Sequence, residues 1–321
     1  MRRVRYHENG GPEVLRVEEA DVPEPGPGQV RIRASAIGAN FVDTKFRSGT
    51  GALFQRPLPA TLTGDVVGTV DRVGEGTDAG LTGRRVAVLS LDAFADHVVA
   101  DAADLVPVPD SLDDAAASML PSAAPVALGT LLAGGIQPGA TVLVHAAAGN
   151  IGHLATQLAK LRGAGTVIGT AGSPAKLDFV RAHGADVSVD YGDEAWPDEV
   201  RAAAPRGVDI VLDSIGGKTI LRGVELLAPY GRLVAYGAAD GLADVPIRSL
   251  YELRSVTGFS LLAWQRARPA EFAAAVTELT GLLTDGRLRY TVHTRLPLAE
   301  AAEAHRLLDA RAQLGRILLV P

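Results

Sequence analysis

At 321 residues the chain is long enough for two domains, each burying its own core. Its 47% hydrophobic and 21% charged residues are those of an ordinary globular protein, and a net charge of -6 without any Lys/Arg cluster argues against a nucleic-acid partner. The absence of cysteine removes disulfides, thiolate nucleophiles and cysteine-based zinc sites. The seven histidines form no H-x-x-x-H pair, so no metal site is expected. No apolar run reaches about 18 residues, and the two early arginines are not followed by an apolar stretch, so neither a membrane span nor a signal peptide is expected. The expectation is a cytoplasmic, metal-free protein.

Residues 1 to 122 read as β-rich. Val30 to Ala34 alternates, Asp65 to Val73 is β-branched, and Arg85 to Leu89 and His97 to Ala100 follow, separated by Pro/Gly turns. These short strands predict a compact, partly closed β domain, followed by a helix from about Ser111 to Leu120. From 123 to 262 strands alternate with helices. Strands are predicted over Thr141–Ala146, Thr166–Thr170, Asp186–Asp190, Val208–Asp213, Gly231–Tyr236 and Val256–Ser260. Helices are predicted over 151–161, 175–183, 194–204 and 218–228. Six parallel strands with crossovers of this length make a doubly wound sheet. After 262 the chain turns helical, over 270–283 and 299–312, and ends on a strand at 316–320. This tail is too short for a domain of its own, so 263–321 is expected to complete the first one.

The stretch from Thr141 to Leu161 is the most informative. An apolar strand runs into Ala147, Ala148, Gly149, Asn150, Ile151 and Gly152, then into a helix with Leu154, Leu158 and Leu161 on one stripe. Strand, glycine turn and helix open a dinucleotide-binding unit, because the turn lets the backbone approach a pyrophosphate and the helix N-terminus offers free N–H groups. An NAD site then needs an acid about 20 residues past the last glycine. Here Gly169 to Lys176 holds no carboxylate, and Ser173 and Lys176 supply a hydroxyl and a cation that suit a 2′-phosphate. The plainer alternative is that Ser173 caps the next helix and Lys176 is solvated. Tyr191, after the third strand, either flanks the same phosphate or is an ordinary surface tyrosine. A second cluster, Gly38 to Gly49, brings Asn40, Asp43 and Arg47 onto one face of a short helix or turn. Asn40 is an amide able to bond a nicotinamide ribose or a carbonyl oxygen; the alternative is a capped turn with an Asp43–Arg47 pair.

Taken together, these motifs resemble the zinc-free quinone oxidoreductases, the ζ-crystallin-like branch of the medium-chain dehydrogenases/reductases, along essentially the whole chain. The resemblance rests on Gly10 to Leu15, Asn40 to Thr44 with Arg47 to Gly49, Gly64 to Gly68, Gly83 to Ala87, His145 to Gly149 with Ile151 and Gly152, Gly207 to Gly217 and Gly231 to Gly237. It implies a GroES-like domain over 1–122 completed by the tail, a Rossmann domain over 123–262, NADPH as cofactor, and a homodimer joined through the edge of the Rossmann sheet. It assigns Asn40 to the nicotinamide end, Gly149 and Gly152 to the pyrophosphate turn (with Ala148, Asn150 and Ile151 around them), Ser173, Lys176 and Tyr191 to the 2′-phosphate, and Tyr236 to the cofactor face of the fifth strand. Three positions depart from the family pattern. Asn150 stands for a glycine and is expected to tolerate a left-handed conformation; Pro125 stands near a usual Thr, whose hydroxyl Ser122 would have to replace; Lys45 stands where some relatives place a Tyr.

The activity implied is hydride transfer from NADPH to a quinone or an α,β-unsaturated carbonyl, a small-molecule substrate. Asn40 is expected to donate to the developing oxyanion, Lys45 to add a positive charge if it points inward, and water to deliver the proton. A dedicated enoyl reductase acting on a polyketide or other tethered intermediate shares every motif quoted. The non-enzyme alternative is an NADPH-binding regulator or a moonlighting RNA-binding protein. The acceptor depends on loops 45–60, 90–95 and 240–268, whose Phe54, Phe94, Tyr251, Phe259, Leu262 and Trp264 are substrate-lining, core or dimer residues.

Overall fold

The computed structural model describes residues 1–50 and 54–321. The chain divides into two compact units, Met1–Ser122 with Tyr290–Pro321, and Ala123–Arg289.

The first unit begins with a hairpin-like pair, β1 (Arg2–Arg5) and β2 (Arg16–Glu19), paired antiparallel. Its main sheet is built on the long strand β3 (Gln29–Ala39), which leads into helix α1 (Val42–Ser48). Then come β4 (Gly64–Val73), β5 (Arg85–Ser90), β6 (His97–Asp101), β7 (Val106–Pro107) and the short helix α2 (Asp114–Ala117). Strand β3 pairs β4 along its whole length, with register shifts near Ile32 and Ala36, while β6 pairs only its first half. Those shifts bend the strand. Gly68 lies at the bend, where a Cβ would stand 2.2 Å from the Arg33 carbonyl oxygen, so the two backbones approach as only glycine permits. Helix α1 stops because Gly49 turns left-handed at φ 64° and its N–H bonds back to the carbonyls of Lys45 and Phe46. At α2, Asp113 accepts the N–H of Ala116 as an N-cap.

The second unit runs α3 (Ala123–Gly134), β8 (Thr141–Val144), α4 (Gly152–Leu161), β9 (Thr166–Ala171), α5 (Leu177–Ala182), β10 (Val187–Asp190), α6 (Trp196–Ala203), β11 (Val208–Asp213), α7 (Gly217–Leu226), β12 (Leu227–Ala235), β13 (Ser255–Gly258), α8 (Leu261–Ala267) and α9 (Pro269–Thr284). The six strands lie in the order β10-β9-β8-β11-β12-β13, and every neighbouring pair is parallel. This is the doubly wound sheet expected from the strand–helix rhythm. The order reverses direction between β8 and β11, and ligands of such sheets bind there, outside the carboxyl ends of the strands. Leu143, Ile168, Val189, Val211 and Leu233, one from each of the first five strands, are buried in its core.

The tail supplies β14 (Val292–Pro297), α10 (Ala301–Asp309) and β15 (Arg316–Val320). Strand β15 adds antiparallel to the second half of β3 and carries β14 on its other side, so Ile317 and Leu319 join the core of Ile32, Ile37 and Phe94. The expected return of the chain to the first unit is corrected in one respect. It begins at Tyr290, not at 263, because α8 and α9 pack on α3 of the second unit. Gly129 of α3 makes that packing possible. A Cβ there would lie 2.4 Å from the Phe259 ring and 3.0 Å from Trp264. Phe272 of α9 stands edge-on to Trp264, with centroids 5.5 Å apart.

Candidate active site

In the second unit the site is assembled at the carboxyl ends of β8, β9, β10, β11 and β12. After Val144 the chain turns through Ala146, which takes the left-handed conformation at φ 51°. Gly152 opens α4 with its Cα against that turn, where a Cβ would meet the Ala146 carbonyl oxygen at 2.2 Å. Glycine is therefore required here by close approach, and the N–H groups of His153 and Leu154 in the first turn of α4 already bond the carbonyls of Gly149 and Ile151 at 3.2 and 3.1 Å. Asn150 does not occupy the left-handed region, which in this turn falls to Ala146, so its tolerance for that conformation is not called upon. Its Oδ1 is instead buried without a partner among the described residues. His145 is buried, bonds Thr170 Oγ1 through Nδ1 at 2.8 Å and stands edge-on to Trp196. Burial pulls its pKa down to about 3, so it acts as a neutral strut.

At the end of β9, Ser173 has an extended backbone and makes no side-chain cap to the short 3-10 turn Pro174–Lys176. The capping role considered as its alternative is absent, and Lys176, three residues on, is half-buried. Tyr191 follows β10, its N–H bonds the Ala171 carbonyl at 2.9 Å, and its ring covers Gly172, where a Cβ would lie 3.0 Å from the phenolic oxygen. Tyr191 therefore stands next to Ser173, and no acid occupies the β9 end from Gly169 to Lys176. Tyr236, after β12, is half-buried and bonded to Ser214, and burial raises its pKa to about 12. Between them Asp213, at the end of β11, accepts the N–H groups of Ile215 and Gly216 at 2.8 and 2.7 Å, and burial raises its pKa to about 6. The sequence motif around Asp213 was visible, but nothing in it singled out this carboxylate as the anchor of the β11 turn.

In the first unit Asn40 follows β3 directly and donates from Nδ2 to Asp65 Oδ2 at 3.3 Å. Ser122 Oγ donates to the same oxygen at 2.7 Å, and Arg316 Nη2 does so too. Asp65 and Arg316 are both 0% exposed, and the guanidinium fills the space that Gly38 leaves free on β3. Sequence reasoning missed this pair because its members lie 251 residues apart. The alternative Asp43–Arg47 pair does not form. Asp43 instead accepts the backbone N–H and hydroxyl of Thr63 at 2.8 and 2.6 Å, while Arg47 bonds Asp309 at 2.7 Å and His305 Nδ1 at 3.0 Å. Lys45 rests over the ring of Phe41 with Nζ 5.5 Å from the centroid, a cation–π contact. Ser122 has its hydroxyl hydrogen committed to Asp65, and Pro125 is buried in the first turn of α3, where a missing N–H costs nothing.

Of the apolar loop residues, Phe94 is core of the first unit and Phe259 and Trp264 cover α3. Phe54 packs edge-on to Phe46, whereas Tyr251 and Leu262 are exposed. Residues 51–53 of the 45–60 loop lie outside the described residues.

Comparison with known proteins agrees with these two units. The alcohol dehydrogenase GroES-like domain family matches residues 26–110, and the zinc-binding dehydrogenase family matches 150–280. A quinone oxidoreductase of Pseudomonas aeruginosa is 37% identical over 100% of this chain and 99% of its own length. The chain belongs to the quinone oxidoreductase family of zinc-independent medium-chain dehydrogenases/reductases. Another member, a 2-haloacrylate reductase of a Burkholderia species, is 35% identical over 98% of this chain and 97% of its own. The quinone oxidoreductase of Escherichia coli, solved in complex with NADPH, superposes with a TM-score of 0.93 at 30% identity, covering 100% of both chains. One matching family is described as zinc-binding, yet this chain has no cysteine, and no group of three or more His, Asp or Glu among the described residues is arranged to hold a metal. No helix among the described residues is long and apolar enough to cross a membrane.

Proposed function

We propose that this quinone oxidoreductase-family chain uses NADPH to reduce a quinone or an α,β-unsaturated carbonyl compound. The observation that carries the reading is the β9 end, where the stretch Gly169–Lys176 carries Ser173 and Lys176 but no carboxylate and the Tyr191 ring lies against Gly172. A hydroxyl, an ammonium and a phenol suit a 2′-phosphate dianion, which an Asp or Glu in that place would repel. In this reading Ala148, Gly149, Asn150, Ile151 and Gly152 hold the pyrophosphate against the start of α4. Tyr236 lines the cofactor face of β12, and Asn40 serves the nicotinamide end.

The cofactor, when bound, supplies a hydride. The protein orients it, excludes water and balances charge on the acceptor oxygen. Lys45 is assigned a modest part, its ammonium leaving the Phe41 ring for the acceptor oxygen, and the proton comes from water. Small molecules are the substrates, and nucleic acid has no part. The chain works in the cytoplasm as a homodimer joined at the free β13 edge of the sheet. The segment around that edge supports this, since it exposes Tyr230, Ile247, Tyr251 and Leu253 at 81, 67, 75 and 55%.

The test is a panel of quinones and enones with NADPH. Turnover of free quinones or enones supports the reading and names the acceptor class. Turnover confined to carrier-tethered enoyl chains would make the protein a dedicated enoyl reductase. NADPH binding with no turnover of any acceptor would make it a regulator.

A further inference from the structure

Strand β15 carries an apolar run, Ile317, Leu318, Leu319 and Val320, of which the first three are buried. Ile317 and Leu319 belong to the core that holds Ile37, while Leu318 points to the opposite face. Both faces of the strand are therefore covered. A slip of one residue along β3 would exchange leucine for leucine and keep apolar side chains on either side, so the alternation that fixes register in a half-buried strand does not fix it here. The direct pairing with β3 is also short, Leu318 with Gly38 and Leu319 with Ile37.

Arg316 breaks this degeneracy. It lies on the Leu318 face, two residues earlier, and Gly38 is paired on its other side with Asp65 of β4. The guanidinium crosses β3 over Gly38, where a Cβ would collide with it, and donates to the Asp65 carboxylate. Asp65 Oδ1 and Arg316 Nε and Nη1 are buried without partners among the described residues. A pair so incompletely satisfied adds little net stability over apolar residues of similar volume, whereas either charge left alone in the interior is costly. A slip of one residue would carry Arg316 to the Ile37 face, and a slip of two would move it about 7 Å along the strand from its place opposite Asp65.

We propose that the Asp65–Arg316 pair is a register key, which contributes little to the stability of the first unit and selects the one alignment in which the returning strand β15 joins β3. Strand β14, at the edge of the sheet and paired to β15, is carried into place with it. The device is independent of the cofactor, since Gly38, Asp65, Arg316 and Leu318 all belong to the first unit.

The experiment replaces the pair by apolar side chains, Asp65→Leu with Arg316→Met, and follows isoleucine methyl signals by NMR, where Ile37 and Ile317 report the alignment. Asn40 and Ser122, which lose Asp65 as an acceptor, are partly exposed and turn their donors to water. The unaltered protein should give one signal for each isoleucine. The double variant should unfold in urea within about a tenth of the parent's midpoint, yet show second signals for Ile37 and Ile317 at about a tenth or more of the intensity. Amide exchange in β15 should quicken about tenfold or more. A single set of signals with exchange as slow as the parent's would overturn the proposal, because the apolar contacts and the left-handed turn at Gly315 would then suffice to set the register. Arg316→Lys keeps the charge and should keep the single set; doubling there would count equally against the key. Should the double variant fail to fold, Gly38→Ala decides, since its methyl pushes the flexible guanidinium aside and leaves both charged residues in the chain. Doubled Ile317 signals in that variant support the proposal, and unchanged single signals overturn it.

Discussion

Asp43 and His305, both buried in the first unit, hold their protons in opposite ways. Burial pushes Asp43 up to about 7 despite two hydrogen bonds from Thr63, and burial, aided by Arg47, pulls His305 down to about 3. Asp213, raised to about 6, and His145, lowered to about 3, repeat the opposition in the second unit. A native acid with a raised pKa stabilises most below its ordinary value of 3.8, and that stability is lost as pH rises through the native value. A native histidine with a lowered pKa stabilises fully above 6.5, and that stability is lost as pH falls toward the native value. Between about pH 4 and 6 the native state therefore holds two extra protons on its acids and the unfolded state two on its histidines, a difference of two minus two. Asp92, raised, and His183, lowered, add a further opposed pair. Removing one histidine breaks the balance. Across that window, His305→Gln should lose stability relative to the unaltered protein by about 1.4 kcal/mol per pH unit as pH rises. Urea unfolding at several pH values measures it, and parallel profiles would contradict the assignment.

At the scale of elements, the glycine turn separates two explanations for its residues. Gly152 is required because the Ala146 backbone occupies the place of a Cβ, whereas Asn150 needs no unusual backbone. Gly152→Ala should weaken NADPH binding by about tenfold or more, and Asn150→Gly should change it by less than about twofold. Fluorescence titration distinguishes them, and a larger loss at Asn150 would show that its side chain, not the backbone path, holds the phosphate. At α2, Asp113 caps Ala116 and accepts the Tyr290 hydroxyl at 2.7 Å, so Asp113→Ala should cost about 1–2 kcal/mol in chemical unfolding. A value near zero would mean that solvent replaces both bonds.

Legibility in the sequence follows from these local patterns. Strands β8 and β11 and helices α4 and α9 were readable because they bury one face or a whole apolar run, and their ends carry glycine or acid signals. Helix α3 was missed because it is buried nearly all round and shows no stripe; β1, β2 and β14 were missed because their strands are half exposed and rich in arginine, glutamate or histidine. The helix over 270–283 was visible as a helix, but its choice of α3 over the first unit depends on Gly129, whose partner rings lie 130 residues on or more. At the proposed site, Ser173, Lys176 and Tyr191 are read from their places after strands in the sequence, whereas Asp65 and Arg316, 251 residues apart, meet only in the fold.

For the whole molecule, the exposed apolar residues around β13 carry the expectation of a homodimer. The pair Tyr230→Glu and Tyr251→Glu should give a monomer by light scattering without loss of helical or sheet signal, and an unchanged mass for variant and parent would remove this edge as the interface. The cofactor is tested most directly by the ratio of kcat/KM for NADPH over NADH with one good acceptor, measured on the unaltered protein and on Lys176→Ala. The 2′-phosphate reading predicts a ratio of about tenfold or more that falls toward one in the variant, with NADH turnover nearly unchanged. A protein that prefers NADH, or a variant that loses both cofactors equally, would contradict it.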